Sequence, residues 1–367
     1  MSAPSTAERT DRYPATIPIL LRAEPFTAVA PNSCNDFQSR VGRPTVTDQD
    51  GATPCVVVFT RAVDREIDRL SLWLAAQGIP LLRIDSDRCP GAGMVWDPAV
   101  EILHWESHRF RPRVCWQRYF TTESMPVPDD ALLAHYGREQ WPVFASALFG
   151  GAARAVNAAI RPGHPDRVSQ LTAARAVGLS TPATVVATTL ADTAAAIPGG
   201  GDLLVKSLGR HAIEPQPGSL RGVFPRRMSR ALIAEECGVE PAPVLVQEFV
   251  PASSELRVYA VGQRLIGYRI TRTSPDAMWT DPASIRVEPV VLPARLEAAL
   301  AELTTLFGLD VAAYDLLDTE DGPVFLEVNT ACDWLWAEAG AGSETISVAV
   351  RELVAGLYSA YQGAGRG

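Results

Sequence analysis

The chain has 367 residues, with 42 acidic and 33 basic side chains and a formal net charge of −9. This excess of acid argues against a nucleic-acid partner, because a phosphate backbone is bound by basic surface. No apolar run approaches the length of a membrane span, so we expect no membrane partner. The six cysteines, at positions 34, 55, 89, 115, 237 and 332, lack metal-ligand spacing and indicate reduced thiols in a cytoplasmic protein.

Residues 1–53 are rich in Pro, Ser, Thr and Ala and predict a poorly ordered N-terminal arm or appendage. From residue 54 the pattern becomes α/β: CVVVFTR predicts a buried strand, DREIDRLSLWLAAQG an amphipathic helix, and IPLLRID the next strand. The segment FTRAVD after the first strand lacks the glycine-rich turn of a dinucleotide-binding fold. We therefore expect an α/β domain over residues 54–163 that does not bind NAD.

A central domain is predicted over residues 164–245, and it carries Lys206, whereas the other 32 of the 33 basic residues are arginines. SQLTAARAVG predicts a helix, TPATVVAT a strand, and GGGDLLVKSLG the strand that bears this lysine. Lysine is a compact point charge that can lie between phosphate oxygens, so we interpret Lys206 as a phosphate ligand. The alternative is that arginine has replaced lysine almost everywhere in this sequence and left one lysine by chance. GRHAIEPQPGSLRGVF predicts a mobile glycine-containing flap over phosphates, or an ordinary surface loop.

The last predicted domain, residues 246–361, contains acidic residues within apolar strands. YDLLDTEDGPVFLEVN predicts a hairpin that turns at Glu320-Asp321-Gly322. Because side chains alternate along a strand, Glu327 and Asn329 share one face, and the hairpin can bring Asp315 beside them. Carboxylate and amide oxygens suit Mg²⁺, which takes its remaining ligands from water and phosphates. A polar sheet face in contact with solvent is the alternative.

Four segments in this order, LLVKSL, VLVQEFVPASSELRVYAVG, AAYDLL and VFLEVN, resemble the ATP-grasp ligases. RVSQLTAARAVGLSTPATVVAT and CDWLWAE are similar to the branch that makes microviridin-like graspetides, in which side-chain carboxylates of a ribosomal precursor peptide are joined to hydroxyl or amino groups. The resemblance covers about residues 55–358. It implies an α/β (α+β) chain with the ATP-grasp fold and an N-terminal pre-grasp α/β domain.

The resemblance also implies the roles of individual residues. It assigns nucleotide binding to Arg167, Lys206, Gln247, Glu248, Phe249, Val250 and Glu255, and metal binding to Asp315, Glu327 and Asn329. Arg257 and Arg269 are assigned, with Lys206, to the transferred phosphoryl group. The two arginines lie on the two strands of a predicted hairpin, where a change of one residue in the turn decides whether they share a face.

The implied function is ligation with ATP and Mg²⁺: a carboxylate of a precursor peptide becomes an acyl phosphate with release of ADP, and a hydroxyl or amine then displaces phosphate. A homo-oligomer is compatible with the sequence. Four residues depart from the pattern of the branch: Arg167, Thr330, Cys332 and Asp333. They leave two alternatives open, an ATP-grasp ligase that joins an amino acid or small carboxylate to an amine, and a non-catalytic nucleotide-binding partner.

Overall fold

The computed structural model describes residues 47–364 except 49, 90–92, 124, 127, 160–164, 211, 217–218, 223–224, 236–237 and 273–283. Most of the predicted N-terminal arm, residues 1–46, thus lies outside the described residues. The last residues of the arm are bound to the first sheet, since Arg111 Nε donates to Asp48 Oδ2 at 3.1 Å. The described residues form three larger sheets, which follow one another along the chain, and one small two-stranded sheet.

The first sheet has the strand order β2-β1-β5-β4-β3, and β6 pairs with the end of β5. Its strands are β1 Thr53–Thr60, β2 Leu81–Asp85, β3 Met94–Asp97, β4 Ile102–Trp105, β5 His108–Gln117 and β6 Arg154–Val156. Helices α1 (Arg65–Ala76) and α2 (Ala131–Gly150) pack on its opposite faces. Every residue of β1 is buried, because both faces of this central parallel strand are covered; this explains its continuous apolar run.

The predicted first helix is present as α1. The Asp64 side chain caps it by accepting a hydrogen bond from the Ile67 N–H at 3.1 Å. Ile67, Leu70 and Leu74 recur at helical spacing and are buried against the sheet. The helix ends before Gly78, whose φ of +70° suits glycine.

The central sheet is antiparallel, with the strand order β11-β8-β12-β7. Its elements and their neighbours are α3 Arg167–Ala176, β7 Thr184–Thr189, α4 Thr193–Ala196, β8 Leu203–Ser207, β11 Arg226–Met228, α5 Arg230–Glu235 and β12 Val239–Glu248. The segment predicted as a loop over phosphates contains a short antiparallel hairpin, β9 Ala212–Gln216 and β10 Ser219–Gly222. Backbone pairing within the segment gives regular structure to what the glycines and prolines had predicted as a loop.

The third sheet is also antiparallel and has the order β15-β14-β13-β16-β17. Its elements and the helices after them are β13 Ser254–Val261, β14 Arg264–Thr271, β15 Arg286–Val290, α6 Ala294–Leu306, β16 Val311–Thr319, β17 Gly322–Asn329, α7 Leu335–Ala341 and α8 Thr345–Ala364. One face packs on α3 and α6 through residues such as Leu256 and Tyr314. The other face packs on α7, α8 and the first sheet, where Trp116 and Trp334 stack with ring centroids 6.4 Å apart.

The predicted domain limits remain predictions. The limit between residues 163 and 164 lies outside the described residues, and β12 runs through residues 245 and 246. The chain leaves the central sheet only after Glu248 and enters the third sheet at Ser254. Among the described residues, no helix combines the length and the apolar character needed to cross a membrane.

Candidate nucleotide and metal site

Lys206 lies on β8, on the face opposite the apolar core of the central sheet. Leu203 and Val205 are fully buried in that core, and strand alternation turns Leu204 and Lys206 to the other side. Burial lowers the pKa of Lys206 to about 8. The Glu327 and Asp315 carboxylates oppose this shift, and Arg167 adds to it. The single lysine thus interacts with both predicted metal carboxylates of the third sheet.

The predicted acidic hairpin is formed by β16 and β17, with Thr319 paired to Gly322 across the turn. Asp315 lies opposite Glu327, and Ala313 lies opposite Asn329, so the three polar side chains share one face. Asn329 Nδ2 donates to Asp315 Oδ2 at 2.7 Å. The structure therefore brings Asp315, Glu327 and Asn329 together.

Two arginines neutralise these carboxylates. Arg257 Nη1 donates to Asp315 Oδ1 and Oδ2 at 2.6 and 2.7 Å, and Arg167 Nη2 lies 2.8 Å from Glu327 Oε2. Arg167 Nη1 also donates to the Ser207 carbonyl at 2.6 Å, so one guanidinium connects β8 with β17. Burial raises the pKa of Asp315 to about 6; Arg257 opposes the rise and Glu327 adds to it. We call the six polar residues of this site the cleft cluster: Arg167, Lys206, Arg257, Asp315, Glu327 and Asn329.

The donor set of the cleft cluster fits a magnesium ion. Two carboxylates and one amide oxygen are hard ligands, and Mg²⁺ commonly uses one or two carboxylates together with water and phosphates. Among the described residues, no group of three or more His, Cys, Asp and Glu side chains is placed to hold a metal, so this set depends on its amide. Within the part of the chain that the structure describes, the buried Arg257 Nε has no hydrogen-bond partner.

Arg269 does not join the cleft cluster, contrary to the prediction. The β13–β14 hairpin has a two-residue turn, with Val261 opposite Arg264, so Arg257 lies opposite Tyr268 and Leu256 lies opposite Arg269. The two arginines therefore point to opposite faces of the sheet. Arg269 Nε instead donates to Asp318 Oδ2 at 2.9 Å.

The predicted adenine-binding segment lies where the chain passes from the central to the third sheet. Gln247 is buried and its Nε2 donates to Thr184 Oγ1 at 2.9 Å. The Glu248 N–H donates to the Ala183 carbonyl at 2.9 Å, and the Phe249 N–H donates to the Asp202 carbonyl at 3.0 Å. Val250 follows this strand end and is partly exposed.

Two further side chains complete the surroundings of this segment. The Arg227 guanidinium lies 3.9 Å from the centroid of the Phe249 ring, and sequence reasoning missed it. Glu255, the predicted ribose ligand, forms an ion pair with Arg272. A nucleotide ribose at Glu255 would therefore compete with this guanidinium.

A second group of residues connects the first sheet with the loop after β17. Arg118, whose side chain is fully buried, donates to Asp64 Oδ2 at 3.1 Å and to the Cys332 carbonyl at 3.2 Å. The Tyr119 hydroxyl donates to Asp333 Oδ1 at 2.5 Å. The partners of Arg118 are more than 50 residues away in the chain, and no local signal pointed to them. Two departures from the branch, Cys332 and Asp333, thus contact the pre-grasp side of the molecule.

The comparisons with known proteins place these observations on a common fold. No protein-family model matches the chain, and no curated protein does either. Macrocyclase MdnC from Microcystis aeruginosa MRC, bound with precursor peptide MdnA, matches with a TM-score of 0.67 and 23% identity, over 82% of this chain and 99% of that chain. A RiPP-associated ATP-grasp ligase from Chryseobacterium gregarium, in complex with ADP and a leader and core peptide, has a TM-score of 0.67, 19% identity and coverage of 82% and 96%.

The ATP-grasp ligase PsnB, complexed with a phosphomimetic variant of its minimal precursor, Mg and ADP, gives a TM-score of 0.66 at 17% identity, over 82% of this chain and 98% of that chain. At identities below 25% these matches establish the fold. The fold prediction is confirmed: the chain has the ATP-grasp fold, with an N-terminal pre-grasp α/β domain.

Proposed function

We propose that the chain is an ATP-dependent ligase that activates a side-chain carboxylate of a peptide as an acyl phosphate, releases ADP and phosphate, and joins the carboxylate to a hydroxyl or amine. The observation that carries this proposal is the cleft cluster. Lys206 of the central sheet interacts there with Asp315 and Glu327 of the third sheet, and two arginines lie beside them. Transfer of a phosphoryl group needs such positioned charge more than it needs a covalent enzyme intermediate.

Asp315, Glu327 and Asn329 would hold Mg²⁺, which supplies positive charge to the phosphates when bound. Arg257 and Arg167 can then exchange the carboxylates for phosphate oxygens, because a guanidinium binds either anion through paired N–H donors. Lys206 would contact the phosphates from the opposite sheet. These three cations are partly buried, so their interactions with phosphate are stronger than those of surface charges.

The adenine would bind at the strand end formed by Gln247, Glu248, Phe249 and Val250. Since the N–H groups of Glu248 and Phe249 already donate within the protein, the Val250 N–H and nearby carbonyl groups are the backbone groups proposed to read the purine edge. Glu255 is proposed to bind the ribose, in exchange for its ion pair with Arg272. Arg269 has no part in this proposal.

A peptide substrate is supported by the solved relatives, of which MdnC and the Chryseobacterium enzyme are bound to peptides. A second candidate function, joining an amino acid or small carboxylate to an amine, is favoured by Asp333. Its carboxylate is exposed at the junction with the pre-grasp domain and can pair with an ammonium group. The first function requires a peptide in addition to ATP and Mg²⁺, whereas the second requires an amino acid or small carboxylate and an amine.

The test incubates the chain with ATP, Mg²⁺ and any short acidic peptide that is encoded beside its gene, and identifies nucleotide and peptide products by mass spectrometry. We expect ADP, phosphate and a loss of one water for each bond formed, with fragmentation placing each bond at an acidic side chain. Glu327→Gln is the matched control, because it keeps the shape of the side chain and removes its charge. AMP and pyrophosphate would contradict the proposal, and full ADP release with free amino acids alone would favour the second candidate.

A further inference from the structure

Asn157, the residue after β6 in the pre-grasp domain, contacts the hairpin β16–β17 that carries the three proposed metal ligands. It is 3% exposed, and its φ of +56° lies in the left-handed region, which asparagine adopts more readily than most residues. Its Oδ1 accepts hydrogen bonds from the Asp310 N–H at 2.7 Å and the Val311 N–H at 2.9 Å. Its Nδ2 donates to the Val311 carbonyl at 2.8 Å and to the Thr330 carbonyl at 3.3 Å. The side-chain amide of Asn157 thus connects the start of β16 with the end of β17.

These bonds take the place of a missing pair in the β16–β17 ladder. Ala313 pairs with Asn329, the last residue of β17, so continued pairing would place residue 331 opposite Val311. The chain instead leaves the sheet after Asn329, while the N–H and the carbonyl of Val311 still point to that side. The Asn157 amide accepts from the one and donates to the other, as a residue of a paired strand would.

We propose that Asn157 is a positioning residue for the metal site: its amide closes the open end of the hairpin and holds Asn329 beside Asp315, where both can bind one divalent cation. The inference rests on the proposed function, in which these two residues help to hold Mg²⁺. Thr330, whose carbonyl the amide binds, directly follows Asn329, and Asn329 Nδ2 lies 2.7 Å from Asp315 Oδ2. Strand ends open more readily than strand centres, so a metal ligand at an unsupported end would be poorly ordered.

The contact of the pre-grasp domain with the end of β17 uses the backbone of that segment. Asn157 binds the Thr330 carbonyl, and Arg118, also of the pre-grasp domain, binds the Cys332 carbonyl at 3.2 Å. Positions 330 and 332 both depart from the graspetide pattern in their side chains. Because carbonyl groups make these two contacts, the departures leave the support of the metal strand in place.

Isothermal titration with a non-hydrolysable ATP analogue, once in Mg²⁺ and once in EDTA, tests this role without turnover and without a peptide. Asn157→Asp keeps Oδ1 and the shape of the side chain, but it replaces the two N–H donors with an oxygen that faces two carbonyls. Loss of an outer residue that orients a metal ligand commonly costs about ten- to hundredfold in metal affinity. We therefore expect the affinity for the analogue to fall about tenfold in Mg²⁺ and to be unchanged in EDTA.

Two further variants control for charge and for the loss of a domain contact. Asn157→Gly adds no charge and suits the positive φ, so it should show the same loss in Mg²⁺, and it carries the test should Asn157→Asp not fold. Arg154→Met removes the exposed ion pair with Asp310 at 3.1 Å and leaves the amide in place. It should bind the analogue as the wild type does in both media.

A double variant tests whether Asn157 acts through Asn329. If it does, adding Asn157→Gly to Asn329→Ala should cost little further affinity in Mg²⁺, because the ligand that the amide positions is already absent. Additive losses, an Asn157→Gly chain that binds as the wild type does, or equal losses in Mg²⁺ and EDTA would overturn this inference alone. A wild-type chain whose affinity is the same in Mg²⁺ and EDTA would contradict the proposed metal site and this inference with it.

Discussion

Replacing Lys206 with methionine should make the fold more stable while it weakens nucleotide binding. Burial lowers the pKa of Lys206 from 10.5 to about 8, so the charged form is disfavoured in the folded chain. At about 1.4 kcal/mol per pKa unit, the charge lowers the free energy of unfolding at pH 7 by at most about 3 kcal/mol. Methionine has a similar length and no charge, so Lys206→Met should recover part or all of this free energy.

The sign of this effect can be followed with pH. Between pH 8 and pH 10.5 the unfolded chain binds more protons at this position than the folded chain does, so the stability of the wild type rises across that interval. The advantage of Lys206→Met should therefore be largest below pH 8 and should shrink at higher pH. Urea unfolding of both proteins at pH 7 and at about pH 9.5 measures the difference.

Under the proposed function, the same substitution would remove a charge-assisted contact with phosphate, worth about 1.5–3 kcal/mol, or roughly ten- to hundredfold in the dissociation constant. Isothermal titration with a non-hydrolysable ATP analogue and Mg²⁺ measures this loss without a peptide substrate. Arg264→Met is the matched control, because it removes an exposed cation paired with Glu352 at 2.7 Å and should change neither property by more than about 1 kcal/mol. A Lys206→Met chain that unfolds more easily at pH 7, or that binds nucleotide as the wild type does, would refute the reasoning.

Three other expectations follow from the contacts of single side chains. Arg257→Ala should abolish ATP turnover, whereas Arg269→Ala should leave it within about threefold of the wild type, because Arg269 bonds Asp318 on the opposite face of the sheet. Steady-state rates of ADP release compare the two variants. Equal losses of rate would contradict the assignment of the two arginines to opposite faces. Arg167→Lys should lower the free energy of unfolding by about 1–2 kcal/mol, because an ammonium group cannot bond Ser207 and Glu327 in the fork geometry of a guanidinium. The midpoints of urea unfolding of the two proteins would measure this loss. Burial raises the pKa of Cys332 to about 11, although Arg118 and Arg257 oppose the shift. Iodoacetamide at pH 8 should therefore label this thiol only after denaturation. Rapid labelling of Cys332 in the native chain, located by peptide mapping, would contradict its burial.

The parts of the site that sequence predicted are those set by local rules. Strand alternation placed Glu327 and Asn329 on one face, and the Asp-Gly turn brought Asp315 opposite them. Arg269 was placed wrongly because the face of a hairpin residue depends on the length of the turn, and the sequence allowed two lengths. The contacts of Arg118 with Asp64 and Cys332 join residues 54 and 214 positions apart, and such pairings follow from the packing of whole sheets, which has no local signal.

The charges of the cleft cluster connect the fold to the proposed chemistry. Arg167, Lys206 and Arg257 carry three positive charges, and Asp315 and Glu327 carry two negative ones when ionised, so the cluster has a small positive excess that favours an anion. A triphosphate brings more negative charge than this excess can balance, and a substrate carboxylate adds to it. The proposed reaction would therefore need a divalent cation to balance the remaining charge, and Asp315, Glu327 and Asn329 are the residues proposed to bind one. The arginines that neutralise these carboxylates within the protein are then the groups placed to neutralise the phosphates, so the same side chains serve the stability of the cleft and the proposed reaction.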